Sequence, residues 1–173
     1  MLPKVTLVLG GAASGKSAFA EGLVLHGDYR PIYIATAQVF DDEMADKVSR
    51  HRHMRGDTWQ TIEEPLALAQ VLAERTSGEA VLIDCATLWL TNAMLAERDL
   101  ADEMAGLLGA LRTSAAPVVI VSNEVGQGIV PNNALSRRFR NAQGTLNQAI
   151  AAEAELVVAV MAGLPMVLKG ALP

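Results

Sequence analysis

Cysteine and aromatic residues are scarce in this sequence, and each shortage excludes certain kinds of site or core. The single cysteine, Cys85, excludes an internal disulfide and any zinc site built from several cysteines. Because Cys85 follows Asp84 in an apolar run, we expect a buried, unreactive thiol. Aromatic residues make up only 4% of the chain, so Val, Leu, Ile and Ala must form the core. Such a core is typical of a buried parallel sheet covered by helices.

An excess of basic charge and long apolar segments are also lacking. The formal net charge of -5 argues against a general nucleic-acid-binding protein, which is usually basic. No stretch reaches the roughly 20 apolar residues that a membrane-spanning helix needs. No signal-peptide cleavage pattern follows the apolar N-terminus. We therefore expect a cytoplasmic protein with no membrane span and no nucleic-acid partner.

Short apolar, β-branched runs predict strands that are buried on both faces. They cover residues 5–9, 32–35, 81–84, 118–122 and 156–161. The hydrophobicity of residues 58–63 alternates along the chain, which makes this segment a weaker strand candidate. A turn at Gly163 predicts an antiparallel edge strand over 166–169.

Segments with helical periodicity lie between most of these strands. They cover residues 16–25, 66–75, 90–112 with a break near Arg98, and 133–153. The last segment carries one apolar stripe, made of Leu135, Phe139, Ala142, Leu146 and Ile150. Strands alternating with helices predict an α/β fold with a mostly parallel sheet and helices on both faces. At 173 residues we expect one domain, spanning 1–173.

A phosphate-binding loop follows the first predicted strand. Its residues fit G-x-x-x-x-G-K-[ST] and are Gly10, Gly11, Ala12, Ala13, Ser14, Gly15, Lys16 and Ser17. Glycines let successive backbone N–H groups converge on phosphate oxygens, and the start of the following helix adds a favourable dipole. Lys16 would reach the β- and γ-phosphates, and the Ser17 hydroxyl would bind Mg²⁺. A glycine-rich turn that binds nothing is the alternative, but a strand before it and a helix after it favour the P-loop.

The metal of a P-loop enzyme also needs a carboxylate at the end of a neighbouring strand. Asp84 ends the predicted strand 81–84 and is assigned to Mg²⁺. A simple strand-end cap is the alternative for this residue.

Residues 41–53 begin with acids and end with bases, which is typical of a helix aligned with its dipole. Met44, Val48 and His51 share one face, so His51 should point towards the body of the protein. A neutral imidazole can attack an α-phosphate and carry a nucleotidyl group, with nearby arginines steadying the phosphate charge. A histidine at a helix end can equally be a dipole partner or a core filler. Spacing alone therefore makes His51 only a candidate nucleophile.

Several motifs together resemble one enzyme family. They are GGAASGKS, YIATAQVFDDEM, HRHMRGDTWQTIEEP, VLIDCATLWLTN, VSNEVGQGIVP and SRRFRNAQGTLNQ, and they span nearly the whole chain. The sequence resembles the bifunctional adenosylcobinamide kinases / adenosylcobinamide-phosphate guanylyltransferases of cobalamin biosynthesis. A P-loop alone is common, but its combination with the histidine–arginine segment and SNEVGQGIVP is far more restrictive.

The resemblance implies a two-step transferase with a P-loop NTPase fold of the RecA-like kind. Such an enzyme phosphorylates adenosylcobinamide with ATP or GTP, and then transfers GMP from GTP to that phosphate through a guanylylated histidine. The position after DDEM makes His51 that histidine, and the family also implies a homotrimer. The nucleotide contacts it implies, beyond the P-loop, are Ala35, Thr36, Ala37, Arg52, His53, Met54, Arg55, Glu63 and Asp84. One departure is Ala13, where many relatives carry a basic residue; the change leaves the backbone cradle intact.

For several other residues, the sequence leaves two interpretations open. Asn123 and Glu124 follow a strand, where they either hold the attacking hydroxyl or a metal-bound water, or simply form a turn. Three arginines either bind phosphate or a neighbouring subunit, or form a solvated face; they are Arg137, Arg138 and Arg140. Trp59 packs either against a large ligand or in a core or interface.

Two other functions compete with the kinase and guanylyltransferase. One is a GTP-dependent switch protein, which usually carries an N-K-x-D motif to read guanine; that motif does not occur in this sequence. The other is a P-loop kinase without nucleotidyl transfer, which would form no covalent adduct with GTP.

Overall fold

The computed structural model describes residues 1–38 and 58–173. The strands are β1 (Val5–Gly10), β2 (Arg30–Ala35), β3 (Gln60–Glu63), β4 (Glu79–Asp84), β5 (Val118–Asn123), β6 (Leu156–Met161) and β7 (Leu164–Lys169). The helices in the described ranges are α1 (Lys16–Leu25), α2 (Leu68–Ala73), α3 (Ala86–Leu95), α4 (Leu100–Thr113) and α5 (Ala134–Glu153). None of these helices is long and apolar enough to cross a bilayer.

The seven strands form one sheet in the order β3-β2-β4-β5-β1-β6-β7. Every neighbouring pair is parallel except β6 and β7, which are antiparallel. This arrangement confirms the predicted α/β fold with a C-terminal antiparallel edge strand. It also brings the carboxyl ends of six parallel strands to one edge of the sheet, which is where ligands bind in open α/β sheets.

Helices cover both faces of the sheet, as predicted. One face packs against α2, α3, α4 and α5 through a cluster that contains Leu72, Trp89 and Leu146. The other face packs against α1 through Ala20 and Val24; we call it the α1 face. Side chains alternate along each strand, so in β5 Ile120 belongs to the first cluster and Val121 to the second.

Capping side chains explain where two of the helices begin. Asp99 precedes α4 and accepts hydrogen bonds from the N–H groups of Ala101 and Asp102, at 2.9 and 3.2 Å. Asn133 precedes α5 and accepts one from the N–H of Ser136 at 2.7 Å. Each bond satisfies a donor that the first turn of a helix leaves free. The predicted break near Arg98 is confirmed, since α3 ends at Leu95 and α4 begins at Leu100.

The prediction of one apolar stripe along α5 is only partly correct. Leu146 and Ile150 are fully buried, and Phe139 and Ala142 pack against the same cluster. Leu135, in contrast, is 59% exposed, because the first turn of α5 lies outside the packed layer. Periodicity predicts which side of a helix is apolar, and it does not predict how far the sheet extends beneath that side.

Candidate nucleotide site

The P-loop connects β1 to α1 at the carboxyl edge of the sheet. Two of its residues adopt positive φ angles, Ala13 at 55° and Gly15 at 91°. Glycine adopts this conformation easily, while alanine does so at a cost in strain. The loop is closed by a hydrogen bond from the N–H of Ser14 to the carbonyl of Gly11 at 3.3 Å. The backbone of the loop is therefore folded into a compact turn.

Gly10 and Gly15 have no room for a side chain. A Cβ on Gly10 would lie 2.3 Å from Ser14 Oγ and 2.7 Å from the carbonyl oxygen of Val160 in β6. A Cβ on Gly15 would lie 3.0 Å from Cα of Gly163. The N–H of Gly163 also donates to the carbonyl of Ser14 at 2.8 Å. The loop is thus held from outside by the turn between β6 and β7.

Lys16 is the buried cation of this loop. Its side chain is only 9% exposed, and Nζ donates to the carbonyl of Gly11 at 2.9 Å. The ammonium group therefore folds back over the turn rather than extending into solvent. A cation held at that position can reach the oxygens of a phosphate bound by the loop.

Asp84 ends β4, two strands away from the P-loop strand. Its Oδ2 accepts a hydrogen bond from the hydroxyl of Tyr33 in β2 at 2.5 Å. Tyr33 is buried and makes an edge-to-face contact with Trp59, with 5.7 Å between ring centroids. The carboxylate is therefore oriented by a rigid aromatic side chain from the neighbouring strand.

Thr36 and Cys85 fix the two strand ends beside Asp84. Thr36 Oγ1 donates to the carbonyl of Cys85 at 2.8 Å and accepts from its N–H at 2.7 Å. Burial raises the pKa of the Cys85 thiol to about 11, and the negative charge of Asp84 adds to that rise. The thiol thus stays protonated at neutral pH, which agrees with the predicted buried, unreactive cysteine.

Side chains at four strand ends share the α1 face with the P-loop. Tyr33, Leu82 and Val121 belong to the α1-face cluster. Side chains two residues apart on a strand point to the same face, so the residues two positions further along these strands also lie on the α1 face. These residues are Ala35, Asp84 and Asn123, and by the same alternation Glu63 joins them opposite Ala35. The fold therefore brings the predicted residues Lys16, Asp84 and Glu63 to the same face and edge of the sheet.

Several predicted site residues occupy supporting positions. Thr36 is fully buried, with its hydroxyl engaged by Cys85. Ser17 lies in the first turn of α1 and is partly exposed. Trp59 is 7% exposed and belongs to the α1-face core. The segment 41–53 and its residues His51, Arg52 and His53 lie outside the described residues, as do Met54 and Arg55.

Two groups of site residues are not apparent from sequence patterns. Tyr33 meets Asp84 only because β2 and β4 pair so that Ala35 lies beside Asp84. A buried polar cluster, formed by Ser122, Gln143 and Asn147, lies under the end of β5. The polar residues Gln143 and Asn147 interrupt the apolar side of α5, and that interruption is the signal by which the cluster could be found.

Comparison with known proteins supports a specific family. The family model described as "Cobinamide kinase / cobinamide phosphate guanyltransferase" matches residues 6–168. The bifunctional adenosylcobalamin biosynthesis protein CobP of Pseudomonas aeruginosa is 47% identical over 95% of this chain and 96% of its own length. The bifunctional adenosylcobalamin biosynthesis protein CobU of Escherichia coli is 38% identical over 94% of this chain and 98% of its own length.

Solved structures with low sequence identity share the fold. The P4 protein of bacteriophage phi6, solved in complex with ADP, has a TM-score of 0.50 and 18% identity, covering 93% of this chain and 52% of that one. A Pyrococcus horikoshii OT3 protein, solved as Project ID PH0250, has a TM-score of 0.52 and 8% identity, covering 98% and 88%. The family match and the close relatives carry more information than the shared fold, and they agree with the P-loop geometry: the chain belongs to the cobinamide kinase / cobinamide phosphate guanyltransferase family.

Proposed function

We propose that this bifunctional cobinamide kinase and cobinamide phosphate guanylyltransferase binds the triphosphate of ATP or GTP with its P-loop and transfers GMP through His51. The observation that carries the proposal is the position of Lys16. Its buried ammonium group lies over a preformed loop, on the face of the sheet where Asp84 and Asn123 end neighbouring strands. The acceptor is the hydroxyl of the aminopropanol arm of adenosylcobinamide.

In the kinase step, the acceptor hydroxyl attacks the γ-phosphorus of the nucleotide. A new O–P bond forms, the bond to the β,γ-bridging oxygen breaks, and the nucleoside diphosphate leaves. Negative charge spreads over the transferred group, so backbone N–H groups of the P-loop and the Lys16 ammonium contribute most by stabilising that charge. Since Lys16 is already buried and fixed, little reorganisation is needed when the phosphate binds.

The donor set at this edge fits a magnesium ion. Mg²⁺ prefers hard oxygen ligands and usually keeps several waters, with one or two protein ligands and phosphate oxygens completing its shell. The Ser17 hydroxyl and the Asp84 carboxylate are oxygen donors of that kind, and Tyr33 already orients the carboxylate. Bound there, the ion supplies further neutralisation of the phosphate charge.

In the guanylyltransferase step, an imidazole nitrogen of His51 attacks the α-phosphorus of GTP. Pyrophosphate leaves and a P–N bond forms; an oxygen of adenosylcobinamide phosphate then displaces the histidine and gives adenosylcobinamide-GDP. Neutral imidazole is a competent nucleophile at physiological pH. The remaining proposed nucleotide contacts are Ala35, Thr36, Ala37, Arg52, His53, Met54, Arg55 and Glu63.

The test of His51 uses GTP labelled at the α-phosphate. We expect an acid-labile, base-stable label on the wild-type protein and none on His51→Ala. The matched control is His26→Ala, which follows α1 and should keep the label. His53→Ala, at a proposed nucleotide contact, should reduce the label without abolishing it. Label that persists in His51→Ala, or that disappears in His53→Ala instead, would remove His51 from the role of nucleophile.

We also propose that residues 1–173 form one domain carrying both activities and assemble as a homotrimer in the cytoplasm. One sheet contains strands from Val5 to Lys169, which supports a single domain. The consumption of ATP and GTP, which cells hold in the cytoplasm, supports the location. For the trimer, the support is β7, an edge strand that exposes large apolar side chains; they are Leu164, Met166, Val167 and Leu168.

A further inference from the structure

We propose that Asn123 is a catalytic residue of the kinase step, whose side-chain oxygen accepts a hydrogen bond from the attacking hydroxyl of the corrinoid substrate. This assignment rests on the proposed function of the P-loop. It starts from an unsatisfied atom: Asn123 Oδ1 is buried, and in residues 1–38 and 58–173 it has no hydrogen-bond partner. Buried carbonyl oxygens without a donor are costly and uncommon. A ligand that supplies the missing donor would remove that cost.

The position of Asn123 fits an acceptor of this kind. In the register of the sheet Asn123 lies opposite Gly10, the first residue of the P-loop. The following residue, Glu124, donates its N–H to the carbonyl of Gly10 at 3.1 Å. Because β5 lies between β1 and β4 and Val121 pairs with Asp84, Asn123 lies two residues beyond the level of Asp84. It is about one strand spacing of 4.8 Å from β1, which leads into the phosphate cradle.

The direction of the side chain is also appropriate. Alternation along β5 places Ser122 towards α5, where its hydroxyl donates to Asn147 at 2.6 Å. Asn123 therefore projects to the α1 face, which carries the P-loop and Asp84. Ser14, within the P-loop, has a second buried side-chain oxygen without a partner in the described parts of the chain. Two unsatisfied oxygens at one end of the sheet indicate a place for a polar ligand.

The backbone of Asn123 is fixed on both sides. Its N–H donates to Thr87 Oγ1 at 2.8 Å, and its carbonyl accepts from Asn147 Nδ2 at 3.1 Å. Asn147 is held in turn by Gln143, which donates to its Oδ1 at 2.9 Å. Apart from Asn123 Oδ1 itself and Gln143 Oε1, which have no partner among the described residues, the buried amide groups of this network are hydrogen-bonded, which keeps the cost of burying them low. The network therefore holds Asn123 in one place before any substrate binds.

The chemistry of the amide oxygen selects a hydroxyl as the ligand. Phosphate oxygens are acceptors and cannot donate to Oδ1, whereas the acceptor hydroxyl of the kinase step is a donor until it reacts. Asn123 orients the attacking oxygen towards the γ-phosphorus and does not take its proton, which passes to an oxygen of the transferred phosphate. Positioning of this kind is a large part of catalysis in phosphoryl transfer.

The test compares Asn123→Ala and Asn123→Asp with wild type in three measurements. These are turnover of cobinamide phosphorylation with MgATP, the Kd of MgATP, and labelling of the protein by α-labelled GTP. For Asn123→Ala we expect kinase kcat to fall roughly ten- to a hundredfold. The Kd and the labelling should stay within threefold. Asn123→Asp keeps an acceptor oxygen and should retain more kinase activity than Asn123→Ala.

The matched control is Asn141→Ala, an exposed asparagine on α5, which should match wild type in all three measurements. Kinase kcat within threefold of wild type in Asn123→Ala would overturn the assignment. So would a lower kinase kcat accompanied by a comparably higher Kd of MgATP and comparably less labelling, since that combination indicates a structural role. Asn123→Asp with less activity than Asn123→Ala would also overturn it, since the amide would then face a phosphate. A wild type that binds nucleotide but never phosphorylates cobinamide would overturn the proposed function itself.

Discussion

The side chain of Lys16 is held in position by the loop that contains it. Its ammonium group donates a hydrogen bond to the carbonyl of Gly11, so the buried charge has a partner within the loop. A bound triphosphate would offer stronger, charged acceptors at the same place. If the proposed function holds, Lys16 would exchange one partner for another on nucleotide binding, without leaving the interior.

From this position we expect Lys16→Ala to lower kinase kcat by at least about a hundredfold, since it removes a charged donor from the transferred phosphate. The measurement is steady-state phosphorylation of cobinamide with saturating MgATP. Lys4→Ala is the control, because Lys4 is exposed and precedes the same strand. Turnover in Lys16→Ala equal to that in Lys4→Ala would exclude Lys16 from the chemistry.

Single residues also show which parts of the site can be predicted from sequence. The P-loop is contiguous, so its residue types and spacing predict both its conformation and its position after β1. Tyr33 carries no such signal, because its contact with Asp84 depends on how β2 pairs with β4. Asn123 is an intermediate case: its place at a strand end is predictable, but its unsatisfied oxygen is known only from the packed structure.

At the scale of elements, the start of β4 is anchored by a charged cluster around Glu79. The carboxylate is 3% exposed and forms an ion pair with Arg30 of β2. It also accepts a hydrogen bond from the N–H of Thr76 at 2.8 Å. Burial raises the pKa of Glu79, but the hydrogen bonds of Thr76 and Arg30 and the charge of Arg75 outweigh burial, so the pKa lies below its ordinary value of 4.5.

We expect Glu79→Gln to lower the free energy of unfolding by about 1–3 kcal/mol at pH 7, because it leaves Arg75 and the turn without their charged partner. A lowered pKa means that the unfolded chain binds the proton more readily. The contribution of Glu79 is therefore fully present above about pH 4.5 and is lost as the pH falls below that value. Urea unfolding at several pH values should show the two proteins converging in acid.

Glu74→Gln is the matched control, since the Glu74 side chain is 74% exposed and touches the same arginine, Arg75. Pairs that are this exposed contribute little. If both glutamate variants unfolded at the same urea concentration at pH 7, the anchoring role of Glu79 would be wrong.

Several elements are predicted with correct bounds, both with and without a side-chain cap. The strand at 156–161 and the helix at 16–25 match the structure, and α5 begins one residue after its capping Asn133. The helix expected over 66–75 is shorter, from Leu68 to Ala73. Pattern alone overestimated it because Pro65 and Leu66 belong to the loop before it; their carbonyls accept from Asn92 and Trp89.

At the scale of the whole molecule, β7 is an open edge of the sheet. All six of its residues are exposed, and it is the last strand in the order. An exposed apolar edge strand normally pairs or is covered. The order of the parallel strands follows from long-range pairing, which the sequence does not encode in any local pattern. The edge position of β7 is predictable only because the turn at Gly163 pairs it with β6.

If copies of this chain cover that edge, charge on it should prevent assembly. We expect wild-type protein to have the mass of a trimer in light scattering, and the double variant Met166→Lys, Leu168→Lys to have the mass of a monomer. Leu95→Lys is the control, because Leu95 is a similarly exposed apolar residue, at 60%, on a different element. A wild-type monomer, or a trimer unaffected by both lysines, would contradict this location of the interface.

The contact between Trp59 and Tyr33 has a practical consequence. The chain contains two tryptophans. Trp89 is buried in the first turn of α3, on the other face of the sheet from Trp59, and its indole N–H donates to the carbonyl of Leu66. The side chain of Tyr33 lies between Trp59 and the Asp84 carboxylate and contacts both. The protein thus carries an intrinsic fluorophore two contacts from the Asp84 carboxylate. Replacing Trp89 by phenylalanine would leave Trp59 as the single tryptophan, whose selectively excited emission can follow events at Asp84 in real time.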